Sequence, residues 1–427
     1  MERFYPTKYE LLCIATGEIF EDRGWTLGSP TCKQPSLIRT LYAKKRLTLH
    51  EDCGLYKYRD WLPMRRELSC NSQQATYKSE GLAKALGLKN LYLTFNGYFP
   101  ERGATMTTCT FKECEAYSVC ARIDPKERRI LVVASAGNTA RAFAKVCSDN
   151  NIPLLLVVPK DNLDALWGDT PLGDCVKIIA CDGDYFDAIQ LSNIILKSPM
   201  FYAEGGAKNV ARRDGMGTSV LSAVTTIGHI PDYYFQAVGS GTGAISAWEA
   251  NMRLIEDGRY GDNTMRLMAA QNAPFLPIYK AWHNHSSELL PYDADLARRD
   301  AMIIEAKVLS NRQPPYSIAG GLYNALKATN GELLQATNSQ TRQAAELFLK
   351  SEGVDIHPAA AVSLATLMKE VRKGHIERDA TIMFNVTGGG EARFKRERVI
   401  FYYKPCFTFP LMPKECDVIA KVEALFA

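Results

Sequence analysis

The sequence predicts an α/β protein built on parallel sheet, and three observations support that prediction. Continuous apolar, β-branched runs of strand length recur along the chain. Most of them pass into stretches with helical periodicity, and small polar or glycine-rich turns sit at the junctions. A length of 427 residues favours two or three domains and is ample for a large core.

The elements follow in order. Residues 1–60 are of mixed composition, with a hairpin expected around Leu11–Trp25 and no evident chemistry. Thr76 to Gly87 reads as an amphipathic helix, with Leu82 and Leu86 at i, i+4 and Gly87 as its stop. Leu91–Phe95 reads as a strand, and a helix is expected from Lys112 to about Cys120. Ile130–Ala134 is a buried-type strand that runs through Ser135-Ala-Gly-Asn-Thr139 into a helix over Ala140–Ser148. Strands are expected at Leu154–Val158, stopped by Pro159, and at Val176–Ala180, with a helix from about Tyr185 to Lys197. After a polar block from Glu204 to Thr218, the strand Tyr233–Val238 enters Gly239-Ser-Gly-Thr-Gly243 and a helix over Ala244–Leu254. Met265–Ala270 is a further strand, and Asn311–Ser317 is a loop. Helices over Thr341–Glu352 and Pro358–Arg372 precede a last strand, Thr381–Val386, closed by Thr387-Gly-Gly-Gly390.

Composition narrows the function classes. Hydrophobic residues make up 46% and charged residues 23%, as in an ordinary soluble globular protein. The net charge of +4 is small and no long basic run occurs, so nucleic acid is not an expected partner. No stretch approaches the roughly 18 consecutive apolar residues of a membrane span, and Met1–Thr7 lacks the apolar core of a signal peptide. A cytoplasmic location is expected, with the twelve cysteines as reduced thiols. Cys13, Cys32 and Cys53 form no C-x-x-C pair, so neither a zinc ribbon nor any other metal site is expected.

Three segments suit a phosphate-bearing aldehyde. Gly239-Ser240-Gly241-Thr242-Gly243 joins a strand to a helix, where backbone N–H groups and the helix dipole favour an anion. Its G-x-G-x-G spacing is not the dinucleotide form G-x-G-x-x-G, and about half of such loops are only tight turns. Lys112 follows the hydroxyl-rich Thr107-Thr-Cys-Thr110 and the apolar Phe111; a partly desolvated lysine there becomes a nucleophile and base. Most lysines are solvated surface residues, so the case rests on context. Ser135, Gly137 and Thr139 occupy a strand-to-helix junction that suits a carboxylate, or merely a helix cap. Asn138 suits a phenolate-type ring oxygen or the same cap. Asn209, Arg212 and Arg213 offer donors for a second anion, although charge clusters are more often solvated faces. Thr387 lies in a glycine-rich turn after a buried-type strand, from which a hydroxyl could reach a ring nitrogen; the turn alone does not assign it that role. Together the segments point to pyridoxal 5'-phosphate (PLP) held as a Schiff base on Lys112.

The order Thr110-Phe-Lys112, Ser135-Ala-Gly-Asn-Thr139, Gly239-Ser-Gly-Thr-Gly243 resembles the tryptophan-synthase-β-like, fold type II PLP enzymes. Asp60-Trp-Leu-Pro63, Thr76-Tyr-Lys-Ser-Glu80, Asn96-Gly-Tyr98, the stretch Glu204–Arg213, Ile245-Ser-Ala-Trp-Glu-Ala250 and Pro314-Pro-Tyr-Ser317 are similar to the cysteate synthase family, related to threonine synthases. The resemblance implies two parallel-sheet-containing α/β domains with the cofactor between them. The expected division is an N-terminal segment 1–60, a large cofactor domain of 61–128 and 236–427, and a small domain of 129–235. It also implies β-replacement on O-phospho-L-serine by sulfite. Lys112 would carry PLP, Asn138 would hold its ring oxygen, Gly239–Gly243 its phosphate, and Thr387 its pyridine nitrogen. Ser135, Gly137 and Thr139 would receive the substrate carboxylate, and Asn209 and Arg212 its phosphate. The implied partners are an amino-acid phosphate, an anionic nucleophile and further copies of the chain. Threonine synthase, replacement by another nucleophile, a Rossmann-type oxidoreductase and a PLP-binding sensor stand as alternatives.

Overall fold

The computed structural model describes residues 4–50, 54–135, 137–411 and 413–427, so Cys53 and Ala136 lie outside the described residues. Two sheets organise the molecule. The larger has six strands in the order Glu332–Ala336, Arg266–Asn272, Tyr233–Ala237, Thr381–Val386, Asn90–Phe95, Ala75–Lys78. Every neighbouring pair in it is parallel except the last. The smaller has five strands, Phe201–Ala203, Ile130–Ala134, Leu154–Pro159, Val176–Cys181 and Phe407–Phe409, all parallel.

Apolar side chains alternate to both faces of each sheet, and helices cover both, as parallel sheet requires. On the smaller sheet, Leu131, Val133 and Leu156 pack with Tyr117, Val119 and Phe143 from the helices Lys112–Arg122 and Asn138–Asp149. Its opposite face, through Val132, Val157 and Ile179, meets Ile195, Val418 and Val422. The larger sheet is covered on one face by the helix Pro358–Arg372 and on the other by Val210–Ile227 and Thr242–Asp257. An N-terminal antiparallel sheet of three strands includes the hairpin Tyr9–Cys13 and Ile19–Phe20.

The structure departs from the expected elements at four places. Ala75–Lys78 is an edge strand paired with Asn90–Phe95, and the helix begins only at Gly81. The polar block after Glu204 becomes a helix, Val210–Ile227. The expected boundary at residue 235 falls inside Tyr233–Ala237, a strand of the larger sheet. Residues 407–409 and the helix Glu415–Glu423 join the smaller sheet's unit instead of the larger one.

Candidate active site

The loop ahead of Lys112 is fastened to the turn that follows the strand Thr381–Val386. Phe111 N donates to the Thr387 carbonyl at 3.0 Å and Thr110 Oγ1 donates to it at 3.2 Å. Gly389 N donates to the Cys109 carbonyl at 3.0 Å. Thr110 and Gly388 pair as an antiparallel bridge. The strand before that turn lies beside Tyr233–Ala237, so Gly239–Gly243 leaves the same sheet edge. From below, Glu113 grips the loop: it accepts from Thr108 N at 2.5 Å and from Ser72 Oγ. Cys109 sits at φ 58°, a strained conformation for a non-glycine residue.

Lys112 opens its helix with Nζ in a cluster of charges. Glu115, one turn on, accepts from Nζ at 3.1 Å. The same carboxylate accepts from Thr139 Oγ1 at 2.8 Å and lies 3.4 Å from Arg212. Arg212 is gripped from its other side by Glu204, at 2.9 and 2.6 Å. Glu115 is 0% exposed, whereas the Lys112 side chain keeps 21%. Burial lowers the Lys112 pKa; Glu115 opposes the shift and Arg212 adds to it. Arg212 is held above its ordinary value by Glu115 and Glu204, against the opposing effect of burial.

The serine–asparagine turn is only partly free for a ligand. Ser135 Oγ accepts from Gly137 N at 3.3 Å and Ala140 N at 3.2 Å, which is the cap role. Asn138 Oδ1 accepts from Arg141 at 3.2 Å; that places an amide acceptor against a guanidinium and turns its NH2 elsewhere. Arg141 also donates to the Thr108 carbonyl at 2.9 Å and meets Glu391 at 3.3 Å, so one buried cation ties together three segments of the site. Asn209 is a correction. It is 0% exposed, caps the helix Val210–Ile227, and bonds to Arg122 and the Glu204 carbonyl, so it does not face the site. Arg213 likewise pairs with buried Glu249 at 2.9 Å, away from Lys112.

The glycine loop is built for close approach. At the start of the helix Thr242–Asp257 the cap position is Gly241, which has no side chain to offer; Thr242 N donates to Ser240 Oγ at 3.3 Å, and the amides that follow, as at any helix start, have no intrahelical acceptor. A Cβ on Gly239 would come within 3.1 Å of the Val308 carbonyl and the Leu309 backbone. Ser240 and Thr242 bond to each other at 2.8 Å. In the lysine loop, the buried hydroxyls of Thr107 and Thr108 have no partner among the described residues, although buried hydroxyls are ordinarily satisfied. A desolvated lysine, orphaned hydroxyls and a helix start on a glycine loop fit the aldehyde, ring substituents and phosphate of PLP.

The family of pyridoxal-phosphate-dependent enzymes matches residues 74–388. The chain belongs to that family. Among curated relatives it is 46% identical to cysteate synthase of Methanocella arvoryzae, over 98% of this chain and 100% of the relative. It is 44% identical to cysteate synthase of Methanospirillum hungatei, over 93% of this chain and 94% of the relative. Among solved structures, maize serine racemase superposes with a TM-score of 0.57 at 15% identity, covering 76% of this chain and 92% of that one. Threonine synthase from Escherichia coli gives 0.56 at 15%, covering 79% of each. These two likenesses are of fold. Taken with the family match over residues 74–388, the fold is that of the fold type II PLP enzymes.

Glu115, Glu204, Arg141 and Glu391 were not anticipated as site residues. Lys112 and Glu115 at i, i+3 on one predicted helix was the available signal for the first. The others reach the site only through tertiary contacts.

Proposed function

We propose that this enzyme makes L-cysteate from O-phospho-L-serine and sulfite. The reading rests on 46% identity to a cysteate synthase across 98% of the chain. Bound PLP supplies an electron sink for the pair left when the substrate's Cα proton departs. Lys112 holds the cofactor and, once displaced by the substrate amine, is the base beside Cα. The amides of Gly239–Gly243 and the start of the helix Thr242–Asp257 hold its phosphate. The Asn138 amide, oriented by Arg141, meets the ring oxygen, and the Thr387 hydroxyl meets the ring nitrogen without protonating it. Thr139 and the backbone about Gly137 receive the substrate carboxylate, with Ser135 holding that turn in shape. Arg212 draws the substrate phosphate in competition with its two carboxylate partners. The reading includes a homo-oligomer in the cytoplasm.

The test is product analysis by mass spectrometry with phosphoserine and a panel of nucleophiles. Cysteate and inorganic phosphate are expected with sulfite, and the Lys112→Ala variant should form neither and lose the visible absorbance of lysine-bound PLP. Threonine from O-phosphohomoserine, with no cysteate, would favour the threonine synthase alternative and overturn the proposal.

A further inference from the structure

We propose that Glu115 is a catalytic residue, the proton partner of Lys112. The inference rests on the reaction assigned above. Its oxygen Oε2 lies 3.1 Å from Nζ, the atom that bonds the cofactor and takes the Cα proton. Its other oxygen accepts from Thr139 at 2.8 Å and lies 3.4 Å from Arg212, and these contacts orient the carboxylate beside Nζ. It is 0% exposed, and a buried carboxylate is retained in a fold only where paired. Glu113, two residues earlier, shows the alternative use: its carboxylate faces the loop backbone and does structural work there. Glu115 faces the reacting nitrogen.

The step balances without a co-reactant. Lys112 takes the Cα proton and becomes an ammonium. One N–H bond then breaks and an O–H bond forms on Glu115, which leaves Lys112 with its lone pair restored. Phosphate leaves from Cβ with the electron pair of the broken C–O bond, the sulfite lone pair makes the Cβ–S bond in its place, and the proton returns from Glu115 through Lys112 to Cα. No electron is gained or lost. The groups facing Nζ are Glu115 from its own helix and Arg212 from the helix Val210–Ile227. Glu204 holds Arg212 from its other side, and Tyr185 lies within electrostatic reach of Arg212, Glu204 and Glu115. Glu115 raises the Lys112 pKa against burial, so removing its charge lowers that pKa further.

The test compares wild type with Glu115→Gln. The first readout is the rate at which PLP attaches to Lys112 in the unloaded protein, followed by visible absorbance from pH 6 to 11. Attachment needs the neutral amine, so its midpoint should move to lower pH by about 1–3 units in the variant. The second is cysteate formation, expected to fall by about 10²-fold. An unchanged midpoint overturns the proposal whatever happens to turnover. A variant within threefold of wild-type turnover overturns the proton step. If wild type forms no cysteate, the assigned reaction falls, and the attachment midpoint still decides the charge partnership. Should the glutamine variant not fold, Glu115→Asp is read the same way: its carboxylate is drawn back by about 1.5 Å, and a midpoint equal to wild type counts against the proposal.

Discussion

His357 shows how one residue can be tuned by its neighbours. Its backbone N donates to the Gly388 carbonyl at 2.8 Å, and its ring Nδ1 accepts from Ala359 N at 3.4 Å, capping the helix Pro358–Arg372. A protonated ring could not accept there, and it would add charge beside Arg141. Burial, then Arg141, pushes its pKa down from 6.5 to about 4. The sign follows from linkage. Between pH 6.5 and about 4 the unfolded chain binds this proton and the folded chain does not, so His357's stabilisation is complete above pH 6.5 and is lost as the pH falls towards 4. The full difference is worth on the order of 3 kcal/mol, most of it already lost by pH 4.5. His357→Asn keeps a cap acceptor but does not titrate. Urea unfolding at pH 7.5 and pH 4.5 should show the variant losing about 2–3 kcal/mol less than wild type. Equal losses would mean the ring is already charged in the fold.

At the scale of elements, the turn Thr387–Gly390 sets the site's geometry by close approach. Gly390 has φ 74°, and a Cβ there would lie 2.0 Å from the Tyr98 carbonyl. Gly228 has φ 89° with open space around it. Gly390→Ala therefore adds a backbone clash to the conformational cost, whereas Gly228→Ala incurs only the latter. Thermal unfolding should show roughly 2–4 kcal/mol lost in the first and about 1 in the second. Only the first should weaken PLP retention on dialysis, because only that turn is bonded to Phe111 and Thr110. Equal losses in the two variants would assign the effect to φ alone.

The same elements show what the sequence made legible. Ile130–Ala134, Leu154–Pro159 and Val176–Cys181 announce themselves because strands buried on both faces must be continuously apolar. Lys112, the Ser135–Thr139 turn and Gly239–Gly243 were legible as candidates because each lies at a junction whose chemistry is local. The helix Val210–Ile227 was hidden: its Arg212, Arg213 and Asp214 look like a solvated face, yet all three are paired with Glu204, Glu249 and Arg253. Its Gly215 reads as a helix breaker. In the fold that glycine lets the lysine helix come close, since a Cβ would sit 2.3 Å from the Cys114 carbonyl. Thr76 to Lys78 was misread because Leu82 and Leu86 give the segment helical spacing, while its strand pairing is decided by a partner 14 or more residues away, from Lys78 with Tyr92 to Ala75 with Phe95. Asn209 was misassigned because an N-cap and an anion ligand use the same side chain at the same kind of position.

Across the whole molecule, the chain returns at its C-terminus from the larger sheet to the smaller one. Tyr402 and Phe401 pair with Trp167 and Gly168, and Phe407–Phe409 adds a parallel edge strand to Val176–Cys181. Phe409, Val418 and Val422 are buried against Ile179, Leu191 and Ile195, and Ser198 Oγ donates to Glu423 at 2.6 Å. Removing residues 404–427 uncovers that apolar face and leaves the Val176–Cys181 edge unpaired. Each large side chain so exposed forfeits about 1.5–3 kcal/mol of transfer free energy. The lysine helix packs on the opposite face of this sheet, so loosening the sheet loosens Lys112. Hydrogen exchange should therefore accelerate at least tenfold in Ile130–Ala134 and Val176–Cys181, while Thr381–Val386 stays protected. The truncated protein should release PLP faster and keep the wild-type absorbance while it is bound. Uniform acceleration in both sheets would mean that the molecule unfolds as one cooperative unit and that the tail stabilises it globally.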